Sequence, residues 1–227
     1  MDNYQIIKRI AHIETCLETK FGVPRQSGVA RIRGRIVFEK EYRVREAFRG
    51  LEEFSHIWLL WDFSEAHRAD WSPTVRPPRL GGNKRMGVFA TRSPFRPNNI
   101  GLSSVRLVAV DYDCADAPVL IVEGADLMNG TPIYDVKPYL AYTDSHPEAT
   151  GGFVDASGDD VFRLEAIIPD EIKKRLTESE LDALTDVLSN DPRPHYQSDS
   201  ERIYSMLFAG IDVRFRVHDG VVEVLNN

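Results

Sequence analysis

The 26 residues 76–101, RPPRLGGNKRMGVFATRSPFRPNNIG, carry six cations and no acid, although the whole chain has a formal net charge of -7. Four prolines and four glycines stiffen and turn the same segment. Arginine forks suit phosphate and carboxylate groups, and proline lowers the entropy lost when such a loop is ordered. The segment therefore indicates an anionic partner, RNA being the obvious one. The alternative is that these cations pair with acids of the C-terminal third or stay solvated.

Two further stretches concentrate polar residues at predicted turns. FGVPRQSG, residues 21–28, places Pro-Arg-Gln in a turn where polar side chains would face a ligand, or merely solvent. DLMNGTPIYDVKPYL, residues 126–140, combines an Asn-Gly turn with an acid, a lysine and a tyrosine. Its alternative explanation is a hairpin followed by an edge strand. Neither stretch identifies a function by itself.

The common catalytic and binding motifs are missing. The sequence has neither phosphate-binding glycine loop, no His-Glu-x-x-His, no Cys-x-x-Cys and no Gly-x-Ser-x-Gly. Its six histidines are scattered, so we expect no bound metal. Its two cysteines, Cys16 and Cys114, are expected to be small buried hydrophobes in a reducing, cytoplasmic setting. No signal peptide and no apolar run of membrane-spanning length is visible, which predicts a soluble protein without a membrane partner.

The charge is distributed unevenly along the chain. Residues 1–150 hold 20 Lys and Arg against 19 Asp and Glu, whereas residues 151–227 hold 8 against 16. The acidity therefore belongs mainly to the C-terminal third. The front of the molecule carries its cations in clusters that a polyanion could approach.

Many short strands are predicted in the first 145 residues. Residues 30–38 alternate polar and apolar side chains, and residues 56–63 are densely apolar. Further strands are predicted at residues 5–13, 86–91, 102–112, 119–123 and 133–139, with a helical turn or two at residues 42–48. Turn signals separate them and leave little room for crossover helices. This pattern favours an antiparallel or mixed β-barrel over a doubly wound sheet.

A small α+β unit is predicted after a linker. Residues 146–160 fall in a stretch rich in Gly, Ser, Thr and Asp, and residues 161–168 form a strand candidate. Thr177 and Glu180 make a capping box at the start of a helix over residues 177–189. Strands are predicted at residues 202–208, 211–218 and 221–225. The expected organisation is a mainly β domain at residues 1–145, the linker, and an α+β domain at residues 161–227.

Taken in order, several motifs closely resemble the TsaA-like (TrmO) family. These motifs are PRQ, LEEFSHIWLLWDF, WSPTVRPPRLGGN, MGVFATRSPFRPNNIG and NGTPIYDVKPYL, followed by DPRPHY at residues 191–196. The resemblance covers nearly the whole chain. It implies a small N-terminal β-barrel, with S-adenosylmethionine as methyl donor. It also implies a homodimer that methylates N6 of threonylcarbamoyladenosine, the nucleoside 3′ of the anticodon in certain threonine-type tRNAs.

The resemblance also implies which residues bind the methyl donor. They are Pro24, Arg25, Gln26, Ser64, Glu65, Arg92, Leu102, Asn129, Gly130, Thr131 and Pro132. The chain departs from the family pattern at three places. Ser64-Glu65 replaces His-Gln, Asn129 replaces the aspartate of a DGTP turn, and Asn99 stands where proline is common. Asn is able to hold the same turn as Asp and to accept similar hydrogen bonds.

Methyl transfer to this acceptor requires groups that bind the charged donor and a base that removes a proton from the acceptor nitrogen. Arg92 or Arg25 is expected to fork onto the donor carboxylate. The acceptor nitrogen is poorly nucleophilic, and Asp135 and Tyr139 are the candidate bases, although Asp135 is more often structural at such a place. The residues expected to bind the tRNA phosphates or the threonyl carboxylate are Arg76, Arg79, Lys84, Arg85, Arg96 and Arg193. Tyr196 is expected to be a stacking platform for a base.

Two other functions remain open at this stage. The same donor chemistry could act on another small molecule or RNA, which the Ser64-Glu65 departure keeps open. Alternatively, the barrel could be a non-catalytic RNA-binding or regulatory module. An assay with labelled donor separates these possibilities.

Overall fold

The computed structural model describes residues 5–80, 84–155, 163–193 and 199–226, with only the backbone of Arg79. The strands of the first part are β1 (Ala11–Thr15), β2 (Arg33–Phe38), β3 (His56–Asp62), β4 (Thr74–Val75), β5 (Met86–Gly87), β6 (Ile100–Asp111), β7 (Val119–Glu123) and β8 (Pro132–Pro138). The second part contains α1 (Ala141–Asp144), β9 (Glu165–Ile167), α2 (Asp170–Lys173), α3 (Glu178–Ser189), β10 (Tyr204–Phe208), β11 (Ile211–His218) and β12 (Val221–Val224).

Six strands close into a barrel in the order β1-β2-β7-β6-β3-β8. Every neighbouring pair is antiparallel, from β1 against β2 around to β8 against β1. Closure removes the exposed strand edges that an open sheet of this size would present. The prediction of a mainly β fold with a small N-terminal barrel is confirmed.

Side chains alternate between the interior and the exterior of the barrel. In β3, Ile57, Leu59 and Trp61 point inward and are buried, while the residues between them are more exposed. The neighbouring strands add further fully buried side chains, including Ile13, Ile36, Val105, Leu120, Val122 and Ile133. This period of two is what the alternating sequence of a half-buried strand dictates.

The antiparallel order brings distant loops to one end of the barrel. The chain leaves β1, β3 and β7 at Thr15, Asp62 and Glu123, and these residues lie at the same end, which we call the upper end. Here β2, β6 and β8 begin. The opposite, lower end holds the first residues of β1, β3 and β7. The loops that follow β1, β3 and β7 therefore share the upper end.

The chain between β3 and β6 forms a small extension, residues 63–99, which contains most of the basic segment. The main-chain N–H of Phe63 donates to Asn99 O at 2.9 Å and closes the base of this extension. Within it, β4 pairs with β5. A longer strand was expected at residues 86–91, but only Met86–Gly87 pairs, and Val88–Ala90 form a 3₁₀ turn. The reason is that Val88 is the buried anchor of this small extension, so the chain turns there.

The C-terminal part is a four-stranded sheet in the order β10-β11-β12-β9, covered by α3. Helix α3 starts with the expected capping box, in which Thr177 Oγ1 accepts from Glu180 N and the Glu180 carboxylate accepts from Thr177 N. Phe208, Phe215, Leu184 and Leu188 are fully buried in its core. The small α+β region is thus also confirmed. No helix in the described part of the chain is long and apolar enough to cross a membrane.

Candidate active site

Residues predicted to bind the methyl donor lie in separate loops at the upper end. Pro24, Arg25 and Gln26 belong to the loop between β1 and β2, and Ser64 and Glu65 follow β3. Arg92 lies in the extension before β6, and Asn129, Gly130 and Thr131 precede Pro132, the first residue of β8. The topology therefore brings four sequence-distant segments to the upper end of the barrel.

Gln26 and Arg92 connect two of these segments directly. One guanidinium nitrogen of Arg92 donates a short hydrogen bond to Gln26 Oε1, across 66 residues of sequence. The Arg92 side chain is otherwise exposed to solvent. A guanidinium held in this way, with donors still facing water, is suited to a carboxylate ligand.

The turn Asn129–Pro132 has its shape fixed from within. Asn129 Oδ1 accepts from Thr15 N at 3.2 Å, and Gly130 N donates to Ile13 O at 2.8 Å. Gly130 has φ of +79°, which glycine adopts without strain. Thr131 Oγ1 donates to Met128 O at 2.8 Å. The Asn129 side chain thus fixes this turn against the end of β1.

The loop that carries Pro24–Gln26 rests on the C-terminal domain. Phe21 stacks on Tyr204 and Phe215, with ring centroids 6.2 Å apart in each pair. One guanidinium nitrogen of Arg25 donates to Asp191 O and Arg193 O at 3.2 and 3.0 Å. Arg25 is therefore engaged by main-chain oxygens, which leaves Arg92 as the better placed group for a donor carboxylate.

A buried series of hydrogen bonds beneath this site was not predicted from the sequence. Trp61 Nε1 donates to Ser103 Oγ at 3.0 Å, and Ser103 Oγ donates to Asp126 Oδ1 at 2.6 Å. Burial raises the pKa of Asp126, while Ser103 and the charge of Arg92 act in the opposite direction. The signal available in the sequence was an acid between the predicted strand at residues 119–123 and the Asn-Gly turn.

Ser64 and Glu65 lie in a 3₁₀ turn, Ser64–Ala66, directly after β3, and both side chains are exposed. After the turn, His67 Nε2 lies within hydrogen-bond distance of Asp62 Oδ1, at 2.8 Å. Asp62 also hydrogen-bonds Tyr134, whose pKa is raised mainly by burial and then by this carboxylate. The turn is thus anchored on β3 and β8.

The two candidate bases do not come together. Asp135 lies on the outer face of the barrel, where Leu60 pairs with Asp135 on one side and Leu102 on the other. Its carboxylate contacts Lys137 Nζ at 2.7 Å. Tyr139 follows β8 at the lower end, where its N–H donates to His56 O. Seven residues of extended strand, about 23 Å, separate Tyr139 from Pro132, so Tyr139 is not beside the upper-end site.

The basic side chains predicted to bind RNA fall into two groups. Arg76, Lys84 and Arg85 are exposed, and Arg85 donates to Thr74 Oγ1 at 3.0 Å. Arg96 is instead half-buried and donates to Thr91 O at 2.7 Å and to Val88 O at 3.3 Å.

Arg193 is held in place rather than presented to a ligand. It is paired with Asp191 through two 2.8 Å hydrogen bonds and is only 14% exposed. Arg96 and Arg193 therefore shape their loops. The side chain of Arg79 and all of Tyr196 lie outside the described residues.

The site holds no candidate metal centre in what the structure describes. Within residues 5–80, 84–155, 163–193 and 199–226, no group of three His, Cys, Asp or Glu side chains could hold an ion.

Comparison with known proteins identifies close relatives. Residues 12–145 match the tRNA-methyltransferase O N-terminal domain, and residues 163–226 match the TrmO C-terminal domain. The chain is 40% identical to the tRNA (adenine(37)-N6)-methyltransferase of Escherichia coli (strain K12), over 99% of this chain and 97% of the relative. It is 37% identical to a putative S-adenosylmethionine-dependent methyltransferase, RcsF, of Pseudomonas aeruginosa, over 92% and 91%.

A solved structure has the same fold throughout. The crystal structure of TrmO from Pseudomonas aeruginosa superimposes with a TM-score of 0.77 at 30% identity, covering 98% of both chains. The similarity therefore extends over the barrel and the C-terminal sheet alike.

Proposed function

Because the chain belongs to the tRNA-methyltransferase O family over nearly all of its length, we propose that it is a methyltransferase that uses S-adenosylmethionine to methylate N6 of adenine 37 in tRNA. The observation that carries the proposal is the meeting at one barrel end of Gln26, Arg92 and the Asn129–Pro132 turn. A family match alone would leave open whether these motifs form a site. Their convergence supports a shared ligand.

The chemistry of these residues fits the methyl donor. S-adenosylmethionine, when bound, supplies an electrophilic methyl group on a positively charged sulfur. Arg92 offers exposed guanidinium donors for a carboxylate, and Gln26 fixes their direction. The open space around Gly130, where an added Cβ would contact no described atom, leaves the turn accessible to a ligand. Pro24, Ser64, Glu65, Leu102, Thr131 and Pro132 complete the proposed set.

Positioning is expected to supply most of the rate enhancement. A displacement at carbon needs the acceptor nitrogen in line with the leaving group, which rigid loops favour. Asp126 and Ser103 form a buried polar floor that resists rearrangement, since breaking it would leave polar groups unpaired. Asp126 also places a carboxylate near Arg92 and thereby helps to hold that guanidinium.

We propose Asp135 as the group that takes the proton from the acceptor nitrogen. Three residues of strand, about 10 Å, separate it from Pro132, and it shares the outer face with Leu102. Lys137, in contact with its carboxylate, would have to release it during turnover. Tyr139 is not included, because it lies at the lower end.

Finer points of the proposal rest on the resemblance. We propose that the acceptor is threonylcarbamoyladenosine in threonine-type tRNA, that two copies form a homodimer, and that the protein works in the cytoplasm. Arg76, Lys84 and Arg85 support an anionic substrate because they are exposed cations in a segment without acids. The homodimer and the cytoplasmic setting rest on the resemblance alone.

The test is nucleoside mass spectrometry of threonine tRNA after incubation with purified protein and S-adenosylmethionine. We expect a 14 Da gain on threonylcarbamoyladenosine, the mass of one CH₂ group. An Arg92→Ala variant should lose donor binding in calorimetry. Arg9→Ala, which removes a cation at the lower end, should bind the donor normally. Transfer only to other nucleosides, or donor-independent RNA binding without transfer, would contradict the proposal.

A further inference from the structure

Two large aromatic side chains of the basic extension are turned to solvent. Trp71 is 52% exposed and Phe89 is 72% exposed. Their ring centroids are 6.2 Å apart and the rings are tilted by 30°. Single exposed apolar residues are ordinary, but two adjacent aromatic rings form a patch that indicates a binding partner.

The patch has a rigid support. Phe89 follows Val88, which is 1% exposed and donates its N–H to Pro73 O at 2.9 Å. The guanidinium of Arg96 bonds the carbonyl oxygens on either side of Phe89, at Val88 and Thr91, and lies 5.9 Å from the Phe89 ring. The pairing of β4 with β5 joins the Trp71 and Phe89 sides of the extension. The rings are therefore held in place before a partner binds.

The surroundings of the patch are positively charged. Residues 71–100 contain no Asp or Glu, and Arg76, Lys84 and Arg85 of this segment are exposed. Flat aromatic faces next to guanidinium and ammonium groups suit unpaired nucleotides, because the bases stack while the phosphates pair with the cations. The absence of acids disfavours a basic peptide as partner.

The patch is also close to the upper-end site. Phe89 lies three residues before Arg92, whose guanidinium bonds Gln26, so their Cα atoms are at most about 11 Å apart. A nucleotide on the patch would thus lie next to one whose base enters the site. The anticodon loop offers such neighbouring unpaired bases.

We propose that Trp71 and Phe89 form a stacking platform for one unpaired base adjacent to the methylated adenine, with Arg76 and Arg85 beside its phosphates. This inference rests on the proposed function for the identity of the RNA. The platform replaces the stacking that the loop loses when its adenine is drawn towards the donor. It distinguishes single-stranded loop from duplex, in which bases cannot lie flat on a protein surface.

The experiment measures methyl transfer against tRNA concentration at saturating donor for Trp71→Ala and Phe89→Ala. We expect the KM for tRNA to rise about tenfold in each variant, since base stacking on an aromatic ring contributes on that order. The donor Kd, measured by calorimetry, should stay unchanged. Trp71→Phe and Phe89→Tyr keep a flat ring and should retain near-normal KM. Tyr142→Ala, which removes an 88% exposed aromatic beyond β8, is the matched control.

A second readout reports contact directly. Tryptophan fluorescence should be quenched when an anticodon stem-loop binds, and Trp71→Phe should lose most of this quenching while Trp58 and Trp61 remain. Unchanged KM in both alanine variants, while the wild-type protein methylates tRNA, would overturn the platform and leave the proposed function standing.

The remaining outcomes also separate the two claims. If the wild-type protein transfers no methyl group but the alanine variants still lose RNA affinity, the platform stands and the proposed function fails. A change in sedimentation of the alanine variants with unchanged RNA affinity would make the patch a contact between copies, against the proposal. Loss of donor binding with unaltered RNA affinity would also overturn it.

Discussion

The guanidinium of Arg25, in the loop after β1, donates to the main-chain oxygen of Arg193, in the turn after α3, at 3.0 Å. The contact joins residues 168 positions apart in sequence. Asn190 Nδ2 adds a bond to Val29 O at 3.2 Å, and Arg31 pairs with Asp186 at 2.7 Å. The C-terminal domain therefore holds the loop of Pro24–Gln26 at several points, and we expect it to influence binding of the donor at the proposed site.

Asp191→Asn should weaken donor binding through this contact. The Asp191 carboxylate fixes Arg193 and with it the turn whose oxygens receive Arg25. Asn tolerates the φ of +47° found here, so the backbone should survive, but the charge-assisted bonds would be lost. We expect calorimetry to show about fivefold weaker binding of S-adenosylmethionine, equivalent to about 1 kcal/mol. The control Asp170→Asn removes an exposed ion pair of the same domain and should bind normally; equal losses in both variants would refute the coupling.

Gly101→Ala should destabilise the barrel. An added Cβ would lie 2.2 Å from Cε2 of the buried Trp61 ring, which also donates to Ser103. Overpacking of this kind costs roughly 2–3 kcal/mol, and urea unfolding would measure it. Gly87→Ala is the matched control, since its Cβ would meet no described atom within 4 Å and its φ of −58° suits alanine. A Gly101→Ala protein as stable as the control would show that Trp61 is free to move aside.

Removing exposed cations of the extension should flatten the salt dependence of RNA binding. Each phosphate contact contributes a slope of about 0.7 to 1 in a plot of log K against log salt concentration. We expect Arg76→Ser and Arg85→Ser each to lower the magnitude of the slope by about that amount, measured by fluorescence anisotropy with threonine tRNA. Arg9→Ser, which removes a cation paired with Glu39 at the lower end, should leave the slope unaltered. Parallel lines for all proteins would argue against phosphate contacts.

Asp126→Asn should change stability in a pH-dependent way. Burial raises the pKa of Asp126 above its ordinary value of 3.8, so folding favours the protonated acid. Its contribution to stability is thus fully present below pH 3.8 and is lost as the pH rises through the folded-state pKa. Asparagine keeps an acceptor for Ser103 without the charge. The stability of the variant relative to wild type should therefore improve from about pH 4 to neutrality in urea unfolding, and the reverse trend would mean that pairing with Arg92 outweighs burial.

The two thiols should react very differently. Burial raises the pKa of Cys16 to about 12, so only about one molecule in ten thousand carries its thiolate at pH 8. Both cysteines are free and partly exposed, so neither is the buried residue expected from the sequence, and the contrast between them rests on the raised pKa of Cys16. Iodoacetamide at pH 8 should therefore label one thiol per folded chain, lost in Cys114→Ser, and two in urea, as peptide mass spectrometry would show. Rapid labelling of Cys16 in the folded protein would indicate that the β1–β2 loop opens.

Local patterns predicted most of the fold. Alternation over residues 30–38 and the dense apolar run over residues 56–63 became β2 and β3, because a period of two leaves only one face to bury. The capping box at Thr177 marked the start of α3, since its hydrogen bonds form within one turn. The strand expected at residues 86–91 shortened to two residues because Val88 is buried beneath the extension, and such a tertiary contact leaves no local signal.

The site was only partly predictable from sequence. The order of the motifs identified the family, whereas their convergence depends on barrel closure, which brings the ends of β1, β3 and β7 together. In the closed barrel, Tyr139 lies at the lower end and Asp135 is paired with Lys137. Arg96 and Arg193 looked like free cations because a sequence does not reveal which carbonyl or carboxylate a long side chain will reach.

The sequence by itself therefore determined the strand pattern, the capped helix, the charge of the extension and the family. Only the tertiary structure decided which cations stay exposed and that Asp126 is the acid that becomes largely buried. It also decided that the C-terminal domain supports the loop that carries Arg25. The physical reason is range: propensity and periodicity act within a few residues. Burial and hydrogen bonding between distant segments exist only after the chain has closed on itself.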